Sequence, residues 1–408
     1  MSLLSKSKYP LSAVVLLGAV IYALRIHEIV LLILPIFRVI QPIEDFPYTC
    51  ERVEHPLLAG CEDMWLDHEG RKLYAACASI EGRTGWSPGA DLWNVSARDR
   101  ADHISVLDID DPGSDGLYGL HQLKIGSEYP GDLDLHGLDV RRIGDKLRFW
   151  LINHRPPVNP KTGEPLNVYE VGANSTVEIF DLKLGSETLQ HVKTIFSDAI
   201  VTPNDLAVDE DGIGFAVTND HTNKAPGYSR GLELFTGGGS VSYCRSDSGE
   251  CRIATREGCY MANGIANLGQ GLFAVSQTGR GIVVTYKVDE EKTILVNELD
   301  FQVPLDNTSP DENGDVFMAA FPDARALFNA AKDPYGVPAP ATVYMIPRQV
   351  LQGKQTHEYK GLPAIKVLED RDSKHLPTTT VVVHDAKTKR LFLAGVLSPF
   401  IGICKNNS

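Results

Sequence analysis

Residues 136–154 read HGLDVRRIGDKLRFWLINH, and the fold follows from how that stretch is built. A polar residue, His136, opens a strand-like run. Gly144 turns the chain eight residues later, and a second run, DKLRFWLIN, returns. The arrangement recurs. Glu62 lies eight residues before Gly70, Asn204 before Gly212, Asn263 before Gly271 and Asp306 before Gly314. The runs after those glycines are KLYAACAS, IGFAVTND, LFAVSQ and DVFMAA. A sixth copy, TTTVVVHDAKTKRLFLAGV, keeps both apolar runs but has Thr388 in place of the glycine. Asn, Asp and Gly punctuate β-turns in any protein, so one copy means little. Five copies at one spacing, each with a metal-ligand or acid–base side chain, mark a repeat.

Six repeats of strand, turn and strand are the signature of a closed radial array, a β-propeller. Successive turn glycines are 74, 68, 59 and 43 residues apart, so insertions differ between blades. Cys50 to Cys404 spans 355 residues. That is roughly 59 per blade, enough for four strands of about 5–6 residues with loops. Runs such as TVEIFDL, IVVTYKV and TVYMIP are strand-like, and long helical periodicity is missing after residue 50. We therefore expect an all-β, six-bladed β-propeller over residues 45–408, behind a hydrophobic membrane-anchor segment at 1–44.

The net charge of −14 argues against nucleic acid as a partner, since no basic stretch with interleaved aromatics is present. An acidic balance fits a divalent-cation protein. At the N-terminus Lys6 and Lys8 precede an apolar run from Pro10 to Leu24, and a second runs from Ile29 to Phe37. The first is short for a full span of about 20 residues. It suits a signal peptide's core, but no convincing small-x-small cleavage site follows. An uncleaved signal-anchor is expected, with the basic flank cytosolic and the propeller lumenal or extracellular. A cleaved signal peptide with a secreted product is the alternative.

Seven cysteines fit that compartment. Cys50 precedes the first repeat and Cys404 follows the last, and in a ring these ends must meet. A bond between them would clasp the first and last blades, worth about 4–5 kcal/mol in the chain-entropy model. Cys244 and Cys251 flank RSDSGE and look like a hairpin bridge. Cys61 and Cys77 lie on adjacent strands and pair or, as we favour for each of them and for Cys259, remain buried thiols. Sequons at Asn94 and Asn174 are expected to carry glycans. Asn406 lies in another, and that of Asn307 falls inside the candidate site.

The repeat edges CEDM, LHGL, PNDL, MANGI and PLDNTS offer Glu62, Asp63, Asn204, Asp205, Asn263, Asp306 and Asn307. All are oxygen donors, and a zinc-type cluster of Cys and His is missing. Mixed carboxylate and carboxamide oxygens match calcium. Neighbouring strand residues face opposite ways, so Glu62 and Asp63 could serve two ions, as could Asn204 and Asp205. His136 holds the ring position of the second repeat, and His154 ends the returning strand of the same hairpin. Together they suggest a general base, with an unperturbed pKa of about 6.5. His221, in TNDH, is a further polar candidate.

The segments GCEDM, LHGL, the NH of residues 153–154, PND, TNDH, EGCYMANGI and LDN, in that order, resemble the serum paraoxonase/arylesterase family. The resemblance extends over essentially all of residues 45–405. It implies a six-bladed propeller with two calcium ions, acting as a lactonase. It places catalytic-calcium ligands at Glu62, Asn204, Asn263, Asp306 and Asn307. It places structural-calcium ligands at Asp63, Asp205 and the backbone carbonyl of Leu138, and a histidine pair at His136 and His154. A Cys50–Cys404 disulfide and a retained N-terminal signal sequence are also implied. The stretches Thr222–Gly239, CRSDSGEC and Phe321–Pro338 depart from the family pattern.

The expected function is calcium-dependent hydrolysis of lactones and aryl esters, with His136 activating water and His154 shuttling its proton. A Gly-x-Ser-x-Gly elbow is not present, which disfavours a serine nucleophile. The partners expected are a small lactone or ester and, through the N-terminus, a membrane or lipid surface. A gluconolactonase-like or strictosidine synthase-like enzyme is the alternative, as is a non-catalytic, calcium-stabilised binding propeller.

Overall fold

Each of the six repeats forms one sheet, antiparallel but for a short parallel outer pair in the second blade, in the computed structural model, which describes residues 11–407 apart from 290–291, 338, 353–363 and 377. The two apolar runs of a repeat are the two innermost strands of a blade. The six innermost strands are Asp63–Asp67, Leu135–Ile143, Pro203–Val208, Ala262–Gly269, Leu305–Pro310 and Val381–Asp385. Each packs beside the next, and the last packs beside the first, so the ring is closed.

The constant spacing has a conformational cause. Gly144, Gly212, Gly271 and Gly314 all have φ between +63° and +80°. Glycine enters this left-handed region without the Cβ penalty. In the first repeat Arg71 takes the left-handed position beside Gly70, and in the sixth Lys389 takes it at φ 55°. The missing sixth glycine is thus replaced by strain at a neighbouring residue.

The chain closes its own ring. Strand Tyr48–Val53 adds to the outside of the sixth blade, antiparallel to Ile401–Asn406. Cys50 lies opposite Cys404 and is bonded to it. Cys244–Cys251 bridges a hairpin, as expected. Cys61 and Cys77 correct the expectation of buried thiols, since they form a third disulfide. The diagonal across the first hairpin brings their sulfurs together. Cys259 is buried and free.

Between blades the core is continuous. Tyr74 of blade one meets Phe149 of blade two edge-on at 5.3 Å. Trp150 and Phe215 fill the next junction, and Phe273 and Tyr286 the one after. Burying one such ring stabilises by about 1.5–3 kcal/mol.

A helix, Leu11–Ile33, precedes the propeller. Among the described residues no helix is long and apolar enough to cross a membrane. Lys6 and Lys8 lie outside the described residues. Further on, Leu32 is buried while Phe37 is exposed. Arg38 donates to the carbonyls of Leu31, Gln302 and Pro322, which ties this segment to the propeller.

Candidate active site

The repeat places its polar residue at the start of each innermost strand. The inner strands of each sheet form an antiparallel meander laid down in the same sense, so these starts lie at one end of the axial channel. Glu62, His136, Asn204, Asp306 and Asn307 are buried there, and Asn263 is partly so. Two glycines allow the strands to approach. A Cβ at Gly137 would lie 2.7 Å from the Asp205 Cα, and one at Gly264 would lie 2.5 Å from the Asn307 Cα.

Contacts knit the ring. The Asn307 side-chain amide donates to Glu62 Oε1 at 2.8 Å and to the Glu62 carbonyl at 3.1 Å. Asp306 is hydrogen-bonded to Asn263. Ser276 donates to the Asp306 carbonyl at 2.7 Å, and Thr218 to that of Asn263 at 2.5 Å. Four buried acceptor oxygens have no hydrogen-bond partner among the described residues: Glu62 Oε2 and the Oδ1 atoms of Asn204, Asn263 and Asn307. Buried polar atoms normally find partners, so this convergence needs a physical cause.

Electrostatics point the same way. Burial and the Asp306 carboxylate push the Glu62 carboxyl up to about 8. Burial, with Asp63 nearby, pushes Asp306 up to about 7. Like charges buried together cannot both ionise without a cation.

Asp63 and Asp205 have another environment. Each oxygen of Asp63 accepts a backbone N–H, from Met64 at 2.8 Å and from Leu138 of the next blade at 2.7 Å. Asp205 does likewise with Leu206 at 2.7 Å and Ile265 at 2.8 Å. These carboxylates tie neighbouring inner strands together. Burial holds both well above the usual carboxylate range, with Glu62 adding to it for Asp63 and Asp63 for Asp205.

The two histidines meet edge-on with ring centroids 5.1 Å apart. His136 Nε2 lies 3.7 Å from Glu62 Oε1. The Trp86 indole donates to the His154 carbonyl at 2.9 Å, and His154 Nδ1 pairs with Ser175 Oγ at 2.9 Å. Burial, then His154 and Arg83, pushes His136 well below its ordinary value. Burial, then Arg83 and Arg230, pushes His154 down to about 3. Desolvation and buried cations thus hold both rings below the ordinary imidazole range.

His221 is buried, its Nδ1 2.8 Å from Glu233 Oε2. Asn94 is exposed, and Asn174 is partly buried at the start of its strand.

Sequence reasoning missed Thr380, the sixth ring position. It lies eight residues before Thr388, and its hydroxyl donates to the Glu62 carbonyl at 3.1 Å. It also missed the insertion after blade one's second strand. There Arg83 is buried and donates to the carbonyl of Leu135. Gly89 lies so close to the histidine pair that a Cβ would sit 2.5 Å from His136 Nε2. The available signal was Trp86 and Trp93 bracketing a Pro-Gly turn. At the channel's far end His68, Glu312 and Asp385 cluster within 4.8 Å. Asp385 there is already committed to Arg71, at 2.9 and 2.6 Å.

A family model described as Arylesterase matches residues 152–355, half of the chain. The chain belongs to the arylesterase family. This arylesterase-family chain is also 29% identical over 252 residues to mouse serum paraoxonase/arylesterase 1, a match covering 53% of it and 68% of that relative. Among solved structures, a gluconolactonase of Xanthomonas campestris aligns with a TM-score of 0.49 at 13% identity, covering 88% of this chain and 89% of the other. A luciferin-regenerating enzyme aligns with a TM-score of 0.48 at 13% identity, covering 88% and 95%. The family assignment makes the chain a hydrolase of the arylesterase type.

The ring carboxyls have a consequence for stability. Their folded pKa values of about 8 and about 7 lie above ordinary values of 4.5 and 3.8. Groups raised in this way favour the fold below their unfolded pKa and lose that contribution as pH rises through the folded one. Chelator-treated protein should therefore melt at a lower temperature at about pH 8 than at about pH 5.5, and calcium should remove most of the difference. Thermal unfolding at the two pH values checks this; equal melting temperatures without metal would contradict it.

Proposed function

We propose that the chain is a calcium-dependent hydrolase of lactones and activated aryl esters. One observation carries the proposal: four buried acceptor oxygens of the ring lack hydrogen-bond partners among the described residues. Each such atom left unsatisfied costs about 1–3 kcal/mol. A hard cation accepts all of them at once. Two carboxylates with three carboxamides suit calcium, which takes six to eight oxygens, better than magnesium, which keeps more water. Glu62, Asn204, Asn263, Asp306 and Asn307 would hold this ion. Asp63, Asp205 and the Leu138 carbonyl would hold a second, structural one. The Asp63 and Asp205 oxygens retain lone pairs beyond their backbone bonds, and a cation would relieve their mutual repulsion.

When bound, the ring cation would polarise a substrate carbonyl as a Lewis acid, an effect worth several kcal/mol. The chain's own residues supply the rest. His136, neutral at pH 7, accepts a proton from the attacking water. Its Nδ1 atom is buried and has no partner among the described residues. His154, fixed by Ser175 and the Trp86 contact, lies edge-on to His136 and tunes it. Gly89 packs against His136 and limits bulk water there. Water adds to the carbonyl carbon and the ester C–O bond breaks, giving a hydroxy acid from a lactone or a phenol and an acid from an aryl ester.

Three disulfides fit an oxidising compartment. We place the propeller in the secretory pathway, lumenal or extracellular, with glycans at Asn94 and Asn174. The apolar stretch of residues 10–37 is proposed to attach it to a membrane or lipid surface. The test is hydrolysis of aliphatic lactones, sugar lactones and phenyl acetate, each with calcium and with EGTA. Turnover of aliphatic lactones and phenyl acetate with calcium alone is expected. Preference for sugar lactones with several divalent metals would favour a gluconolactonase-like enzyme, and no turnover a binding propeller.

A further inference from the structure

Beside His154 is a small cavity of about 10 Å³, lined in part by Ser175, Asp220 and Arg230. Three buried polar atoms of its lining residues have no hydrogen-bond partner among the described residues: His154 Nε2, Asp220 Oδ1 and Arg230 Nε. All three residues are at least nine-tenths buried, at 3%, 4% and 4% exposure, so bulk solvent does not serve these atoms. Nearby groups are otherwise engaged. Arg230 Nη1 donates to Asp91 at 2.8 Å, and its guanidinium lies over the Trp93 ring at 5.2 Å. Its Nη2 reaches Asp220 Oδ1 only at 3.5 Å. Ser175 occupies His154 Nδ1.

We infer that one buried water occupies this cavity and bonds His154 Nε2, Asp220 Oδ1 and Arg230 Nε together, making Asp220 a positioning residue for the histidine pair. The volume is about that of one water probe, and buried waters typically make about three hydrogen bonds. The donor and acceptor count closes. Arg230 Nε–H can only donate, so the water accepts there. The Asp220 carboxylate accepts, so the water donates there. The remaining hydrogen or lone pair of the water faces His154 Nε2. Either state of that nitrogen is satisfied, so the same water holds the ring before and after it takes up a proton. Val201, Pro203 and Ala173 supply apolar lining beside these polar atoms.

The kinetic part rests on the proposed hydrolase reading; the water itself does not. A crystal structure of the calcium-loaded full chain, at a resolution that orders buried waters, should show one water within hydrogen-bond distance of all three atoms. A dry cavity, or an anion with anomalous signal there, overturns the inference whether or not the chain hydrolyses lactones. Asp220→Asn keeps an acceptor oxygen and should retain both the water and most of kcat. Asp220→Leu should expel the water and lower kcat by about tenfold with little change in KM, a fraction of the ~10²–10⁴-fold that a positioned base contributes. Loss in Asp220→Asn equal to that in Asp220→Leu would overturn the bridging role, as would full kcat in Asp220→Leu. If Asp220→Leu does not fold, the wild-type density and the Asp220→Asn kinetics still decide the matter.

Discussion

Asn263→Ala and Asp306→Ala should each lower lactone turnover by at least about 10²-fold while leaving the propeller folded, the loss expected when one preorganised partner of a developing oxyanion is disabled. Both residues sit at the start of an innermost strand, and Asn263 Oδ1 has no hydrogen-bond partner among the described residues. Removing Asn263 would delete a proposed ligand and an unsatisfied acceptor together, so the metal-free fold should lose little. Removing Asp306 also relieves the repulsion that raises Glu62. Asp63→Ala should behave differently. Its two oxygens serve the N–H groups of Met64 and Leu138, one of them across a blade junction. Orphaning two buried donors costs about 1–3 kcal/mol each. Melting temperature, calcium content and kcat measured on all three variants separate the roles. Equal thermal destabilisation by all three would contradict this division.

His136→Gln is the second large effect. Loss of a positioned general base should reduce kcat by about 10²–10⁴-fold. Calcium content should not change, because His136 is assigned as proton acceptor and not as ligand. His154→Gln should cost less, since His154 acts through His136. The pH profile carries a sign. Burial lowers the His136 pKa, so the proton-accepting form persists to lower pH than for a free imidazole. The acidic limb of activity should therefore lie below about pH 6.5 and should be missing in His136→Gln. Full activity in that variant, with the profile unmoved, would remove the histidine from the mechanism and leave the ring intact.

Much of this was legible because a propeller writes its geometry into spacing. The interval from strand start to turn is set by strand length, and the turn demands positive φ, so Gly144, Gly212, Gly271 and Gly314 stand at one distance from the ring. Ring closure likewise brings Cys50 to Cys404. The Cys61–Cys77 pairing was not decidable, because two cysteines on adjacent strands bond only if their Cβ vectors converge. Thr380 escaped notice because Thr388 hides the turn and a threonine is no obvious ligand. Arg83, Gly89 and Trp93 lie in an insertion without strand or helix periodicity. Their relevance comes from folding back over the histidines, a long-range contact that local pattern does not encode. His221 was legible as a polar candidate from its motif, but its pairing with Glu233, on a helix twelve residues on, was not.

The most direct test of the account is calcium content measured together with activity on one sample. Purified in calcium and freed of excess, the chain should retain at least one calcium per molecule and hydrolyse an aliphatic lactone. Exhaustive EGTA treatment should abolish turnover, and added calcium should restore it. Undiminished turnover after the metal has been stripped, verified by elemental analysis on the same sample, would contradict the assignment of the ring as a calcium site that drives hydrolysis.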